Sequence, residues 1–378
     1  MSRVINAILS TSVIAAMSIG AADAQNSAKP IKMIIDSDYN TMSDDGQASI
    51  MAVQLAAEGK IDLLGLTLVT GNSWLKQQVP EALRAMERLG VSDKVGVYAG
   101  ENVPSRDCSL LAQDVAAGGG SRSGLTGGTG AVGHVWQGAC GTSEPVRDSD
   151  IVAPADGFPA SNALRRESAS DFIISAVRRN PGEVTILAIG PVTNIAKAIQ
   201  TAPDIVPLVK EIVFQAGNFE EPVINTFNAW FDAAAARKVI RSGIPVTLIG
   251  RDVTNTVKLD QSNYQKIANA AQQTDITKLF KANYGRAFDA DPRHTTFVWD
   301  TLALAYAVDR SFSIDTRVQY VDFVTEPGPM SGRSVAYDVS PSGVALQKVK
   351  WVRRFDTSKF FKMYTDLLTR PTPVTLSR

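Results

Sequence analysis

The stretch KMIIDSDYNTMSDD, residues 32–45, sets the reading of the whole chain. Its apolar run Met33-Ile34-Ile35 ends in two aspartates one residue apart, Asp36 and Asp38, and a polar turn then leads to an adjacent pair, Asp44 and Asp45. Beyond Asp45, residues Ala48, Met51, Ala52 and Leu55 recur on one helical face, and Gly59 supplies a stop. The pattern predicts strand, loop and helix, with four carboxylates crowded where the strand exits. In an open α/β sheet, ligands bind at that exit. Four like charges in one loop repel one another unless a cation joins them, and an all-oxygen set points to a hard ion, Ca²⁺ or Mg²⁺. The plainer alternative has Asp44 capping the helix and Asp45 favouring its dipole.

Outward from this stretch the chain alternates. A mostly apolar run over 61–69 reads as a buried parallel strand and ends in Thr70-Gly71-Asn72. Helices are predicted over 77–89, 168–179, 192–200 and 232–242, and strands over 94–98, 184–189, 211–215 and 245–249. The expected fold class is α/β: a single three-layer domain, residues 25–378, around a largely parallel open sheet with right-handed crossovers. A Gly-rich segment at about 110–160 breaks the alternation and reads as an insertion or lid. Within it, residues 128–133 match the dinucleotide fingerprint formally, but no strand precedes them and no helix follows, so no nucleotide role is assigned.

Composition narrows the function classes. Lys+Arg and Asp+Glu both total 38 among 378 residues, so no basic excess speaks for nucleic acid. A hydrophobic content of 44% is that of an ordinary globular protein. Arg3, the apolar or small run 4–20 and Ala22-Asp23-Ala24 read as a secretory signal, residues 1–24, with the mature chain starting at Gln25. The expected location is periplasmic or secreted, with no membrane partner after cleavage. Two cysteines, Cys108 and Cys140, suit a disulfide in an exported chain, and two free buried thiols are the alternative.

Six segments, in order, carry a family resemblance: Asp36-Ser37-Asp38 with Asp44-Asp45; the strand ending Gly71-Asn72; Val97-Tyr98-Ala99-Gly100; Ile189-Gly190-Pro191-Val192-Thr193-Asn194; Thr226-Phe227-Asn228 with Asp232; and Trp299-Asp300. Over roughly residues 31–325 the chain resembles the nucleoside hydrolases, which cleave ribonucleosides to ribose and free base. The resemblance implies the Rossmann-like nucleoside hydrolase fold and a Ca²⁺ ion as cofactor. It implies Asp38, Asp45, Asp300 and the backbone carbonyl of Ile189 as metal ligands, Asp38 also being the general base. Asp44, Asn72 and Asn228 match positions that bind the ribose hydroxyls, and Asp36 would support Asp38 from behind. Homo-oligomerisation is left open.

Two departures stand out. The family's glutamate in the Glu-Phe-Asn block is Thr226 here, and Asn218, Glu220, Glu221 or Asn225 are candidates to replace it. Asn40 occupies the place of a loop glycine. Only two histidines occur, His134 and His294, and the position before the last aspartate is Trp299, which resembles the purine-preferring branch. The leading expectation is therefore a purine-favouring nucleoside hydrolase serving salvage. A non-catalytic binding protein for a ribosyl ligand is one alternative. A haloacid-dehalogenase-type phosphatase with Asp36 as nucleophile is another.

Overall fold

The computed structural model describes residues 29–118, 149 and 151–376. The expected signal segment, the 128–133 motif, His134 and Cys140 lie outside the described residues. The first half of the chain runs β1 (Ile31–Ser37), α1 (Asp44–Ala57), β2 (Ile61–Leu68), α2 (Leu75–Leu89), β3 (Gly96–Ala99), α3 (Cys108–Ala116), β4 (Leu164–Arg165) and α4 (Ala169–Arg179). It continues through β5 (Val184–Ala188), α5 (Thr193–Thr201), β6 (Val209–Phe214), α6 (Phe227–Phe231), α7 (Ala233–Ile240), β7 (Val246–Leu248) and α8 (Arg251–Thr254). Then come β8 (Lys258–Leu259), α9 (Gln261–Ala268), α10 (Asp275–Ala290), β9 (Thr296–Phe297) and α11 (Trp299–Val308). The chain closes with β10 (Ser313–Phe323), β11 (Ser334–Tyr337), β12 (Lys348–Phe355) and α12 (Thr357–Thr369).

Ten strands form one sheet in the order β11-β10-β12-β7-β6-β5-β1-β2-β3-β4. Strand β1 pairs in parallel with β2 on one side and β5 on the other. The chain fills β2, β3 and β4 to one side of β1, then returns to fill β5, β6 and β7 to the other. At such a reversal the two neighbouring connections leave in opposite directions, and a crevice opens beyond the strand ends. Asp36, Asp38, Asp44 and Asp45 sit at that place. Alternation along β1 separates two cores: Met33 and Ile35 pack into the layer with α1, α2, α11 and α12, and Ile34 into the layer with α4, α5 and α7.

The parallel strands and their helices fall where the sequence places them, within a residue or two. Two features differ. Helix α1 is buried on every side from Asp45 to Leu55, Gln47, Ser49 and Gln54 included, instead of on one face, because α11 and α12 close over it. The sheet also continues past β7 through an antiparallel set, with β10 pairing to β11 and β12, and β12 joining β7 in parallel. Strand β10 carries Asp315, Arg317 and Asp322 among its apolar residues, so it lacks the continuous apolar run of a buried parallel strand.

The expected insertion is described at its two ends. It opens with α3, whose first residue, Cys108, is disulfide-bonded. Its return runs along α2: Gln77 exchanges hydrogen bonds of 2.8 and 2.9 Å with the backbone of Val152, and Arg88 grips Asp156 at 2.5 and 3.0 Å. No helix among the described residues is long and apolar enough to cross a membrane.

Candidate active site

At the end of β1, Asp36 is fully buried. Its Oδ1 accepts hydrogen bonds from Thr67 Oγ1 (2.6 Å) and Asn194 Nδ2 (2.8 Å), while Oδ2 has no partner among the described residues. Burial lifts its pKa to about 7 against those two bonds. The Asp36 carbonyl receives the N–H groups of Ile189 and Gly190 at 2.8 and 3.2 Å, which draws the end of β5 against β1. Asp38, two residues on, accepts the Asn72 N–H at Oδ2 (2.6 Å) and keeps Oδ1 buried without a partner among the described residues. Burial first, then the charges of Asp45 and Asp44, hold the Asp38 carboxyl well above the usual carboxylate range. Two glycines make room for it. A Cβ on Gly71 would lie 2.3 Å from Asp38 Oδ2, and one on Gly190 would lie 2.6 Å from the Asp38 nitrogen.

Helix α1 begins in the same crevice. Its N-cap is Ser43, whose hydroxyl bonds the Asn40 carbonyl (3.0 Å) and Asp45 Oδ2 (3.2 Å), so Asp44 is not the cap. Asp45 is gripped further by Ser37 at Oδ1 (2.7 Å) and Asn72 Nδ2 at Oδ2 (3.1 Å). From 256 residues further along the chain, the N–H of Asp300 in the first turn of α11 reaches Asp44 Oδ2 at 3.3 Å. One carboxylate oxygen from each of Asp44, Asp45 and Asp300 lies within 4.8 Å of the other two. Burial and then Asp45 raise Asp44 to about 7, while burial, Asp44, Asp45 and Asp38 push Asp300 up. No lysine or arginine figures among the groups acting most strongly on these carboxylates. The hydrogen bonds from Ser37, Ser43, Asn72 and the Asp300 N–H, and the positive ends of α1 and α11, offset them in part. An orphaned Asp38 oxygen beside three clustered carboxylates, with no cationic side chain among those groups, fits a hard divalent cation.

The other expected residues are placed as follows. The carbonyl of Ile189 sits at the exit of β5 and accepts Asn228 Nδ2 at 2.8 Å, with one lone pair left. Asn228, buried in α6, also donates to the Gln215 carbonyl at 3.1 Å, so it bridges the ends of β5 and β6. Asn72 spans Asp38 and Asp45. Trp299 is half-buried, stacks on Phe297 (centroids 4.9 Å apart) and donates its indole N–H to Asn255 Oδ1 at 3.0 Å. Asn218 is the exception. Its side chain is spent on its own loop, donating to Asp252 Oδ1 (2.7 Å) and the Glu220 carbonyl (3.0 Å) and accepting the Ile224 N–H (2.8 Å). Thr226 turns inward and accepts the Gly217 N–H at 3.1 Å.

Several supporting residues escaped sequence reasoning. Asn194, inside a motif but with no role assigned, fixes Asp36. Met42 in the aspartate loop offers its carbonyl to Gln47 Nε2 (3.0 Å), Asn283 Nδ2 (3.1 Å) and the Tyr284 hydroxyl (3.1 Å), tying the loop to α1 and α10. Asp114 on α3 pairs with Arg106 at 2.9 Å, both buried, and accepts the Trp230 indole N–H at 3.1 Å and the Gly328 N–H at 2.6 Å. That knot fastens the insertion to α6, the helix that carries Asn228. No local pattern marks these residues, since each acts through a partner distant in sequence.

Residues 33–362 match the family model described as inosine-uridine preferring nucleoside hydrolase. The chain belongs to that family. Such nucleoside hydrolases are hydrolases of N-glycosyl bonds, and membership of the family supports ribonucleoside hydrolysis as the reaction. The pyrimidine-specific ribonucleoside hydrolase RihB of Escherichia coli is 28% identical over 326 residues, 82% of this chain and 89% of that protein. An uncharacterized protein of Schizosaccharomyces pombe is 34% identical over 356 residues, 90% of this chain and 99% of its own length. Among solved structures, a purine-preferring ribonucleoside hydrolase from Gardnerella vaginalis superposes with a TM-score of 0.66 at 24% identity, covering 89% of this chain and 98% of its own. A plant nucleoside hydrolase does so with a TM-score of 0.67 at 20% identity, covering 90% and 100%. At such identities the structural likeness speaks for the fold.

Proposed function

We propose that this nucleoside hydrolase is an exported, Ca²⁺-dependent enzyme that cleaves ribonucleosides to ribose and base and favours purines. One observation carries the reading: the buried, unpartnered Oδ1 of Asp38 lies beside the cluster of Asp44, Asp45 and Asp300. Asp38, Asp45, Asp300 and the Ile189 carbonyl would hold the ion. A cation there supplies Lewis acidity that lowers the pKa of a nearby water and a point of attachment for ribose hydroxyls. Asp38 takes the proton from water as that water approaches C1′. The C1′–N bond loosens through an oxocarbenium-like state, as in glycoside cleavage generally. Asp44 and Asn228 face the sugar in this reading, and Asn72 holds Asp38 and Asp45 in register.

Purine preference rests on Trp299, adjacent to Asp300 and only half-buried, where a bicyclic base gains more ring overlap than a monocyclic one. Export rests on the N-terminal reading of residues 1–24. The phosphatase alternative finds no support, because Asp36 is sealed between Thr67 and Asn194 with no exposed surface for attack. The purified chain should release free base from inosine and guanosine faster than from uridine, and EDTA should abolish release until Ca²⁺ is restored. Ligand capture without base release would favour the binding-protein alternative. A pyrimidine preference like that of its Escherichia coli relative would reject the role given to Trp299.

A further inference from the structure

Among the described residues, Arg251 is a cation without a counter-charge at the carboxyl edge of the sheet. Strand β7 exits through Ile249 and Gly250 at the same edge of the sheet as the exits that carry Asp38, Asn72 and Ile189, with β6 between it and the exit of β5. The Arg251 N–H is bonded to the Gly217 carbonyl at 2.8 Å, which places the residue against the loop leading to Thr226 and Asn228. Its side chain is half-buried, its Nε is buried with no partner, and it makes no ion pair among the described residues. The neighbouring carboxylate, Asp252, is occupied by Asn218, Phe219 and Glu220 at 2.7–3.0 Å. One helical turn on, the Asn255 N–H bonds the Arg251 carbonyl at 3.2 Å, and Asn255 Oδ1 receives the indole N–H of Trp299 at 3.0 Å. Residues four apart share a helix side. Arg251 thus lies on the side of α8 from which Asn255 reaches Trp299, the residue before Asp300.

A desolvated guanidinium costs free energy unless something pairs with it, and cleavage of the C1′–N bond develops negative charge on the departing base. We propose that Arg251 hydrogen-bonds the departing base and stabilises the charge it acquires, acting as the leaving-group residue of this site. This rests on the hydrolase reading above. When the C1′–N bond breaks, its electron pair goes with the base and spreads over ring nitrogens and carbonyl oxygen. Water loses a proton to Asp38, and its oxygen bonds C1′. Arg251 keeps its own protons and donates hydrogen bonds in its fork geometry, and the base takes its proton from solvent after departure. Among the described residues the one histidine, His294, packs edge-on against Phe288 at 4.8 Å, and His134 lies outside them.

The test compares Arg251→Met and Arg251→Lys with wild type on inosine and on p-nitrophenyl β-D-ribofuranoside, whose nitrophenolate leaves without assistance. Arg251→Met should lower kcat on inosine by about 10²-fold, the scale of losing a donor to developing charge, and on the nitrophenyl riboside by no more than about threefold. Arg251→Lys should recover roughly tenfold of the inosine rate, since it keeps the charge and loses the fork. Equal falls on both substrates, or no fall on inosine, would overturn the assignment while leaving the hydrolase reading intact. A wild-type enzyme that cleaves neither substrate would overturn the hydrolase reading itself.

Discussion

Gly71 and Asp38 share one small volume: a Cβ on Gly71 would lie 2.3 Å from Oδ2 of Asp38 and 2.7 Å from its Cβ. The exit of β2 therefore touches the side chain at the exit of β1, and the Asn72 N–H next to Gly71 holds that carboxylate at 2.6 Å. Only a residue without a side chain allows the two strand ends so close. Gly71→Ala should displace Asp38, and a shift of about 1 Å in a reacting group costs on the order of 10²-fold in rate. The variant should keep its circular dichroism spectrum and lose kcat. Unchanged turnover would mean that Asp38 has more room than its neighbours leave it.

Asp38→Asn removes the base while keeping size and the Asn72 contact. The expected loss in kcat is ~10²–10⁴, the range for a positioned general base. Steady-state rates on inosine measure it. Turnover near the wild-type value would reduce Asp38 to a structural role.

Removal of the cation should show in stability as well as rate. Without it, burial holds Asp36 at about 7 and raises Asp45, burial and the charge of Asp45 hold Asp44 at about 7, and burial with the neighbouring carboxylates raises Asp38 and Asp300. A carboxyl raised in the folded state binds more protons folded than unfolded, so its stabilising effect is whole below about pH 4 and is lost as pH climbs toward 7. The EDTA-treated protein should melt lower at pH 8 than at pH 5.5, and Ca²⁺ should raise Tm more at pH 8. Melting curves at the two pH values decide this. Equal Ca²⁺ shifts at both would argue that these groups hold no ion.

Asp114 tests the anchor of the insertion. Its ion pair with Arg106 is buried, with side-chain exposures of 0% and 5%. Asp114→Ala would leave Arg106 charged and uncompensated, a cost of about 3–5 kcal/mol. The urea midpoint should fall accordingly, and KM should rise as α6 and Asn228 loosen. A midpoint close to that of the wild type would place Asp114 in a hydrated site.

Trp299→Ala should lower inosine and guanosine turnover more than uridine turnover. Aromatic stacking of about 0.5–1.5 kcal/mol gives at most roughly a tenfold effect on binding, and any help to departure adds to the fall in kcat. Calorimetric Ca²⁺ affinity through Asp300 should persist. An equal fall for all nucleosides with a lower Tm would make Trp299 a packing residue of the Phe297 stack.

The sequence by itself determined the parallel half of the sheet and the aspartate loop. Buried parallel strands read as apolar runs, and Asp36, Asp38, Asp44 and Asp45 lie within ten residues of chain, so local pattern is enough to see them converge. It missed the antiparallel strands β10 to β12, whose charged residues interrupt any apolar run, and the full burial of α1, which depends on α12 closing over it from the chain's other end. Tertiary structure alone decided which side chains are committed elsewhere. Asn218 looked free to replace the family glutamate, yet Asp252, 34 residues away, holds it in its loop. Asp300 joins Asp44 across 256 residues only because α11 packs against α1. Arg251 gave no signal as a letter in sequence. Its meaning comes from the absence of an ion pair among the described residues at the sheet's ligand edge, and that is a property of packing in three dimensions.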